Sequence, residues 1–418
     1  MAGIKKNTQY YKFSMYGFLK NLRFFDAFFI LYLVEKGLPY TQIGILYAVR
    51  EIVINVLEVP SGFAADVYGR KNALLGSFLA YIASFIIFYF SGSFAWFLAA
   101  FVFFGIGDAF RSGTHKAMIM DYLRMNSWEQ SKIAYYGHTR SWSQMGSAIS
   151  SLIAGFIVFY KGNYGNVFLY SIIPYLINLV NIFTYPKELN YTKRPESKER
   201  KIDVKSTFKS LYTVMKHKNV LRILNTAALH SAYLKAVKDY IQLLMLNVVV
   251  LVPLFVGYEN KQRNGVLIGI FYFVIYLLTS RASRMAYGIA SRYKTNLALI
   301  TLLIGFGFGT LSGVFNLLDF RVLALVFFAG IYMVENLRMP ILTGYITDHV
   351  PNDILASVIS AQALLKTIMT AGIAVVFGFL ADSFNIGVAF VTVSFILIVL
   401  SVLFTVLFKK EVTKTSSK

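Results

Sequence analysis

Apolar residues fall into twelve long runs along this chain, each bounded by charged or turn-forming residues. The runs cover approximately residues 14–35, 41–64, 72–90, 93–123, 132–160, 164–185, 223–252, 264–290, 295–317, 321–346, 354–381 and 386–408. A membrane helix requires about 20 apolar residues, whereas a membrane strand requires about 10 in alternation. These runs are continuous and rich in Leu, Ile, Phe and Val, so they predict helices and not a barrel. The expected fold class is an all-α integral membrane protein with twelve transmembrane helices. The seventh run is the least regular, because Lys235, Lys238 and Asp239 interrupt it and Pro253 follows.

The polar positions between the runs give an orientation. Taken alternately from the N-terminus, the loops carry Arg70 and Lys71, then Arg124, then a densely basic stretch over 186–222, then Arg292 and Lys294, and finally the tail with Lys409, Lys410, Lys414 and Lys418. The intervening loops hold little beyond Lys36, Lys161, Lys261, Arg263 and Arg321. Basic loops stay on the cytoplasmic side. Both termini and the 186–222 connector are therefore expected there, in a multi-pass protein of the plasma (cytoplasmic) membrane, the inner membrane of a cell that has two. The connector divides the chain into an N-terminal six-helix bundle (1–185), a basic linker (186–222) and a C-terminal six-helix bundle with a short basic tail (223–418). Within the linker, Val204, Phe208, Leu211, Tyr212 and Met215 share one helical face, with Lys205, Lys209 and Lys216 elsewhere. That pattern fits a helix lying on the anionic inner leaflet, and equally a solvated linker helix.

Composition narrows the class further. With 57% hydrophobic and only 15% charged residues, a chain of 418 residues is too apolar for a water-soluble fold. The formal net charge of +21 sits largely in loops and tails, so it argues for membrane topology and against nucleic-acid binding. The absence of cysteine excludes disulfides, thiolate metal sites and a cysteine nucleophile. No zinc-protease, nucleophile-elbow or phosphate-loop pattern is present, so an intramembrane enzyme is disfavoured and no cofactor is implied.

The two halves repeat one another. Asp108, Arg111 and Asp121 recur as Glu335, Arg338 and Asp348 at an offset of 227, and Gly62 falls on Gly288 at an offset of 226, with Asp66 falling on Arg292. A duplicated six-helix unit is the plan of many secondary transporters. Runs three, six, nine and twelve carry essentially no ionisable side chain, whereas the other eight do. Charges at bilayer depth cost roughly 3 kcal/mol or more unless they face protein or water. Every third helix is thus expected to face lipid while the rest enclose a polar cavity.

Between the second and third runs lies the polar turn Gly62-Phe-Ala-Ala-Asp66-Val-Tyr-Gly69-Arg70-Lys71. It resembles the signature of the major facilitator superfamily, G-x-x-x-D-x-x-G-R-[RK], at every defined position. The resemblance implies two six-helix bundles rocking around a central site, with gating residues Gly62, Asp66, Gly69, Arg70, Lys71 and Asp121 and a mirrored set in Arg292 and Asp348. It places Asp66 toward the start of helix eleven, near Asn352 and Asp353, and pairs Arg70 with Asp121. Such pairs are individually weak when exposed, about 0–1 kcal/mol, which suits a gate.

Charged residues within the spans are the candidate substrate and coupling groups: Arg23, Asp26, Asp108, Arg111, His115, Arg140, Lys238, Asp239, Glu335 and Arg338. Arg23 with Asp26, Asp108 with Arg111, and Glu335 with Arg338 are each three apart on a helical face, so local ion pairs are the simplest expectation. Asp26 is the first choice for a protonatable coupling group, with Asp108 and Glu335 as rivals. Cations outnumber carboxylates once Lys116, Arg281, Arg284 and Lys366 are added, which favours an anionic or zwitterionic solute. The expected function is a secondary transporter of a small organic solute, coupled to protons, working as a monomer. Its alternatives are efflux of drugs or amphiphiles, a divalent-metal carrier using Asp26, His115 and His230, and a sensor that no longer transports. Drug export is disfavoured because the fifth run reads Gly137-His-Thr-Arg140-Ser-Trp-Ser-Gln-Met-Gly146, without the family's antiporter pattern.

Overall fold

The computed structural model describes residues 6–128, 132–190, 218–292, 297–349 and 355–407. Among these the secondary structure is helical, with no strand. Fifteen α-helices follow in order: α1 (Thr8–Lys20), α2 (Phe29–Glu35), α3 (Tyr40–Val67), α4 (Arg70–Phe90), α5 (Phe94–Arg111), α6 (Thr114–Met125), α7 (Lys132–Lys161), α8 (Asn166–Phe183), α9 (Lys218–Val237), α10 (Ile241–Val249), α11 (Asn260–Arg292), α12 (Leu297–Leu317), α13 (Arg321–His349), α14 (Leu355–Ser383) and α15 (Ile386–Leu407). Each of the twelve apolar runs coincides with one helix or with a consecutive pair. Nine stretches are long and apolar enough to cross a membrane among the described residues. The other three are runs one and seven, each broken by a 3-10 turn, and the second, where α3 carries Arg50, Glu51 and Glu58.

Three spans are broken, the seventh where Lys238 and Asp239 interrupt its apolar run and the first and fourth against the expectation of a continuous helix. The first splits into α1, a 3-10 turn (Phe24–Ala27) and α2; the fourth into α5 and α6; and the seventh into α9, a 3-10 turn (Lys238–Tyr240) and α10. No proline causes these breaks. Backbone groups freed at membrane depth require internal partners, and in the first break they find them on α8. Ser171 Oγ accepts from the Phe24 N–H at 3.1 Å, and Tyr175 Oη donates to the Lys20 carbonyl at 3.1 Å. At the second break Gly113 takes a φ of +75°, a left-handed conformation that favours glycine. The matching tenth span, α13, runs unbroken. The polar turn over 62–71 is also shorter than the sequence implies: α3 continues to Val67 and only Tyr68 and Gly69, the latter at φ +95°, separate it from α4.

Contacts gather the chain into two compact units. The first comprises Met1–Lys36, Val49–Glu199 and Pro253–Tyr276; the second comprises Gly37–Ala48, Arg200–Val252 and Leu277–Lys418. Each thus takes in the leading part of one span, 253–276 or 37–48, from the opposite end of the sequence. In the first unit α4 packs on α5 and α8, and α1 on α7 and α8. Its core is aromatic: Phe25 stacks on Phe168 at 5.2 Å and Phe29 on Phe101 at 5.4 Å, within the range of favourable ring pairs. In the second unit α12 packs on α13 and α15, and α9 on α14. A cluster of Ile223, Leu224, Ala227, Ala298, Leu342, Val358 and Ala361 fills its interior. Asp382, at the end of α14, accepts the free N–H groups of Tyr40 (2.8 Å) and Thr41 (2.6 Å), so it caps the start of α3.

Candidate functional site

The first unit holds a network built on the break in the first span. Arg23, freed from a helix, directs Nε to Tyr175 Oη at 2.9 Å and Nη2 to Tyr81 Oη at 3.4 Å. Its guanidinium lies 3.6 Å from Asp108 and over the rings of Tyr81 and Phe104. Arg111, one turn from Asp108 on α5, donates Nη2 to the same carboxylate oxygen at 3.1 Å and Nε to Tyr81 Oη at 2.9 Å. Tyr81 Oη in turn donates to Asp108. Two guanidiniums therefore share one carboxylate, with the Asp26 carboxylate also acting on Arg23. The expected Asp108–Arg111 pair is present, whereas Arg23 is committed to Asp108 and the tyrosines. Asp26 lines a small cavity with Arg23, Ser147, Ser150 and Tyr276, of about 10 Å³, close to the volume that one water requires.

Beside this network lies a cavity of about 350 Å³ bordered by α1, α7 and the α5–α6 break. Lys20, Arg111 and Lys116 all line it, with Thr139, Ser143 and Gln144 as neutral polar neighbours and no carboxylate among its described lining residues. His115 also lines it, stacked on Tyr16 at 3.6 Å with 11° between the planes. Arg111 and His115 were singled out in the sequence, whereas Lys116 was counted among the cations but read as one that snorkels at a helix end. Lys20, Tyr16, Tyr81 and Tyr175 were not singled out, because a lysine at a helix end or a tyrosine inside an aromatic-rich apolar run carries no distinguishing pattern. Arg50 and Glu51 also went unremarked; Glu51 is fully buried and 3.1 Å from Arg50. Two adjacent charges inside an apolar run were the available signal.

At the 62–71 turn Arg70 forms an ion pair with Asp121, and Asp66 lies 3.9 Å from Arg70. Arg124 approaches Asp121 at 3.5 Å. The turn is fastened by a residue without a sequence signal: the Asn190 carbonyl accepts from the Arg70 N–H and its Oδ1 from the Lys71 N–H, both at 3.0 Å. Lys71 Nζ donates to the carbonyls of Phe183 (2.6 Å) and Tyr185 (3.2 Å). Gly62 is exposed.

The second unit arranges its repeat differently. Glu335 accepts from Ser231 Oγ and lies 2.6 Å from His230 Nδ1. Arg338 is fully buried and donates to the Ala298 carbonyl (2.6 Å), Thr301 Oγ1 (2.7 Å) and the Thr226 carbonyl (2.8 Å). The side chains expected to pair with each other thus bond to other partners. Lys238 lies 3.6 Å from Asp239, whose other oxygen accepts from Tyr47 Oη at 2.9 Å. The side chains of Arg140, Arg284, Arg292 and Asp348 lie outside the described residues, as do Asn352, Asp353 and the face from Val204 to Met215.

The sequence profile of the Major Facilitator Superfamily matches residues 21–374. The uncharacterized MFS-type transporter YxaM of Bacillus subtilis (strain 168) is 24% identical over 396 residues, covering 91% of each protein. Among solved structures, the nucleoside transporter NupG is similar with a TM-score of 0.74 at 12% identity, over 96% of this chain and 98% of that one. A POT family transporter in complex with 5-aminolevulinic acid is similar with a TM-score of 0.72 at 14% identity, over 96% of each chain. At such identities the structural likeness establishes the fold.

Proposed function

The chain belongs to the Major Facilitator Superfamily, and from that membership we propose a proton-coupled secondary transporter that moves a small organic anion or zwitterion by rocker-switch alternating access. A multi-pass membrane transporter is what the family match and the helical fold establish; solute class and coupling are the reading argued here. The observation that carries it is the cavity of about 350 Å³ with Lys20, Arg111 and Lys116 on its wall and no carboxylate among the described lining residues. Arginine holds planar oxyanions through two parallel N–H bonds, and lysine adds a point charge. Its volume is near the lower end of the range for ligand sites, about 300–1,000 Å³, which suits a small solute. In this reading the protein works as a monomer with both termini cytoplasmic, an orientation supported by the Lys and Arg content of alternate loops.

The test is uptake into proteoliposomes of labelled succinate, labelled glycerol phosphate and a neutral nucleoside. The expected result is saturable uptake of one of the anions that rises when a pH gradient is imposed. Lys116→Gln removes one charged hydrogen-bond donor, about 1.5–3 kcal/mol, and is expected to raise KM about tenfold or more. Uptake confined to the neutral nucleoside, or an unchanged KM in Lys116→Gln, would overturn the anionic reading.

A further inference from the structure

We propose that His230 and Glu335 together form the proton-loading site of this transporter, carried wholly within its second unit. The assignment rests on the chain's working as a coupled transporter, and it names the coupling group. His230 on α9 is fully buried, and its Nδ1 lies 2.6 Å from Glu335 Oε2 on α13. Ser231 Oγ donates to the other carboxylate oxygen. The far ring nitrogen, Nε2, is buried with no hydrogen-bond partner among the described residues. It faces the backbone of Gly305 on α12, where a side chain of any kind would collide with the ring. The imidazole is therefore boxed in on one side and bonded to a carboxylate on the other.

Glu335 retains 13% of its side-chain exposure while His230 has none, so this carboxylate is the member of the pair through which a proton enters. The charge count gives the pair its significance. With neutral His230, the carboxylate of Glu335 is balanced by the guanidinium of Arg338, three residues along α13. Arg338 is itself held by the carbonyls of Ala298 and Thr226 and by Thr301. One proton taken from water onto the His230–Glu335 pair leaves an uncompensated positive charge within the unit, and returning that proton to water restores neutrality. Buried charge that appears and disappears in this way is costly enough to bias two conformations.

The alternatives carry less. Asp108 is already matched by two arginines, so its charge is compensated whatever the proton gradient. Asp26 shares a space for about one water with Arg23. Around His230, α12 and α15 contribute no ionisable residue, α14 carries Lys366 and, at its far end, Asp382, and α13 contributes Glu335 and Arg338. On α9 itself Tyr233 lies one turn on, bonded to Ser394, and Lys235 follows, with Lys238 and Asp239 in the 3-10 turn beyond. Glu335 is the carboxylate whose partner is an imidazole, the side chain that titrates near neutral pH.

The first measurement needs no substrate. The chain has five histidines, so a ¹⁵N-histidine spectrum of the full protein in lipid nanodiscs is assignable by the signal that His230→Gln removes. The expected result is that this signal titrates between about pH 5 and pH 8, and that its midpoint moves in Glu335→Gln. A His230 signal constant over that range in the wild type would overturn the proposal. The second measurement uses proteoliposomes with labelled succinate or glycerol phosphate. Glu335→Gln is expected to retain exchange of internal for external solute and to lose accumulation driven by a pH gradient. Full accumulation by Glu335→Gln would also overturn the proposal. If the wild type moves neither anion, the anionic reading fails while the titration still decides the proton site.

Discussion

Arg70 and Asp121 illustrate how a residue's surroundings revise the energetics that its sequence implies. From the signature alone the pair belongs to an exposed loop and is weak. In the structure the two side chains retain 14% and 9% of their exposure; removing one partner of a buried pair costs about 3–5 kcal/mol when the other charge is left alone, and less here, because Asp66 stays beside Arg70 and Arg124 beside Asp121. Asp121→Asn and Arg70→Ala are each expected to slow transport at least tenfold while leaving substrate affinity within a few fold. Arg70→Asp combined with Asp121→Arg should recover part of the rate. Uptake kinetics and equilibrium binding on the same preparations separate the two effects; a variant with normal rate would remove this pair from the gate. Asp108, Arg111 and Asp121 were legible because their spacing repeats in the second half, and Arg70 because it stands in the signature turn. Asn190 was not, because its role arises from a carbonyl and an amide oxygen brought against the turn by the fold.

At the scale of elements, the twelve spans were readable because hydrophobic length decides them, and Lys238 and Asp239 marked the interruption of span seven, whereas the breaks in spans one and four were not readable. A break in the membrane requires partners for the freed backbone groups, and those partners lie far away in sequence. Phe24 depends on Ser171 and Lys20 on Tyr175, some 150 residues on. The break also sets the position of Arg23, which in an unbroken helix would sit one turn from Asp26 instead of reaching Tyr175 and Asp108. Ser171→Ala leaves the Phe24 N–H without its acceptor, at about 1–3 kcal/mol. The expected outcome is a lower melting temperature together with weaker anion binding, since the network around Arg23 shifts with the backbone. Tyr175→Phe keeps the Ser171 bond and removes an acceptor from Arg23, so it should weaken binding with a smaller change in melting temperature. Equal losses of stability in the two variants would argue that the break serves folding alone.

Across the whole molecule, the internal repeat was visible as matched acid–arginine spacing, but the matched residues have diverged in what they do. Asp108 joins two arginines beside an open cavity. Glu335 bonds to a histidine and a serine, and Arg338 is sealed against two carbonyls and a threonine hydroxyl with no exposure. Spacing conveys duplication; it does not convey which partners each copy finds, since that depends on neighbours such as Phe306 and on the space that Gly305 leaves for the His230 ring. The divergence has a measurable consequence. Arg338→Met removes three hydrogen bonds from a charged donor in the interior of the second unit, each worth about 1.5–3 kcal/mol, so it is expected to lower the melting temperature by many degrees. The fraction that remains folded should bind succinate or glycerol phosphate with nearly wild-type affinity. Arg111→Gln should do the reverse, weakening anion binding about tenfold or more with a smaller loss of stability. Melting curves and binding isotherms measured on both variants test the contrast, and a loss of affinity in Arg338→Met equal to that in Arg111→Gln would show that the two arginines still act as equivalent halves of one solute site.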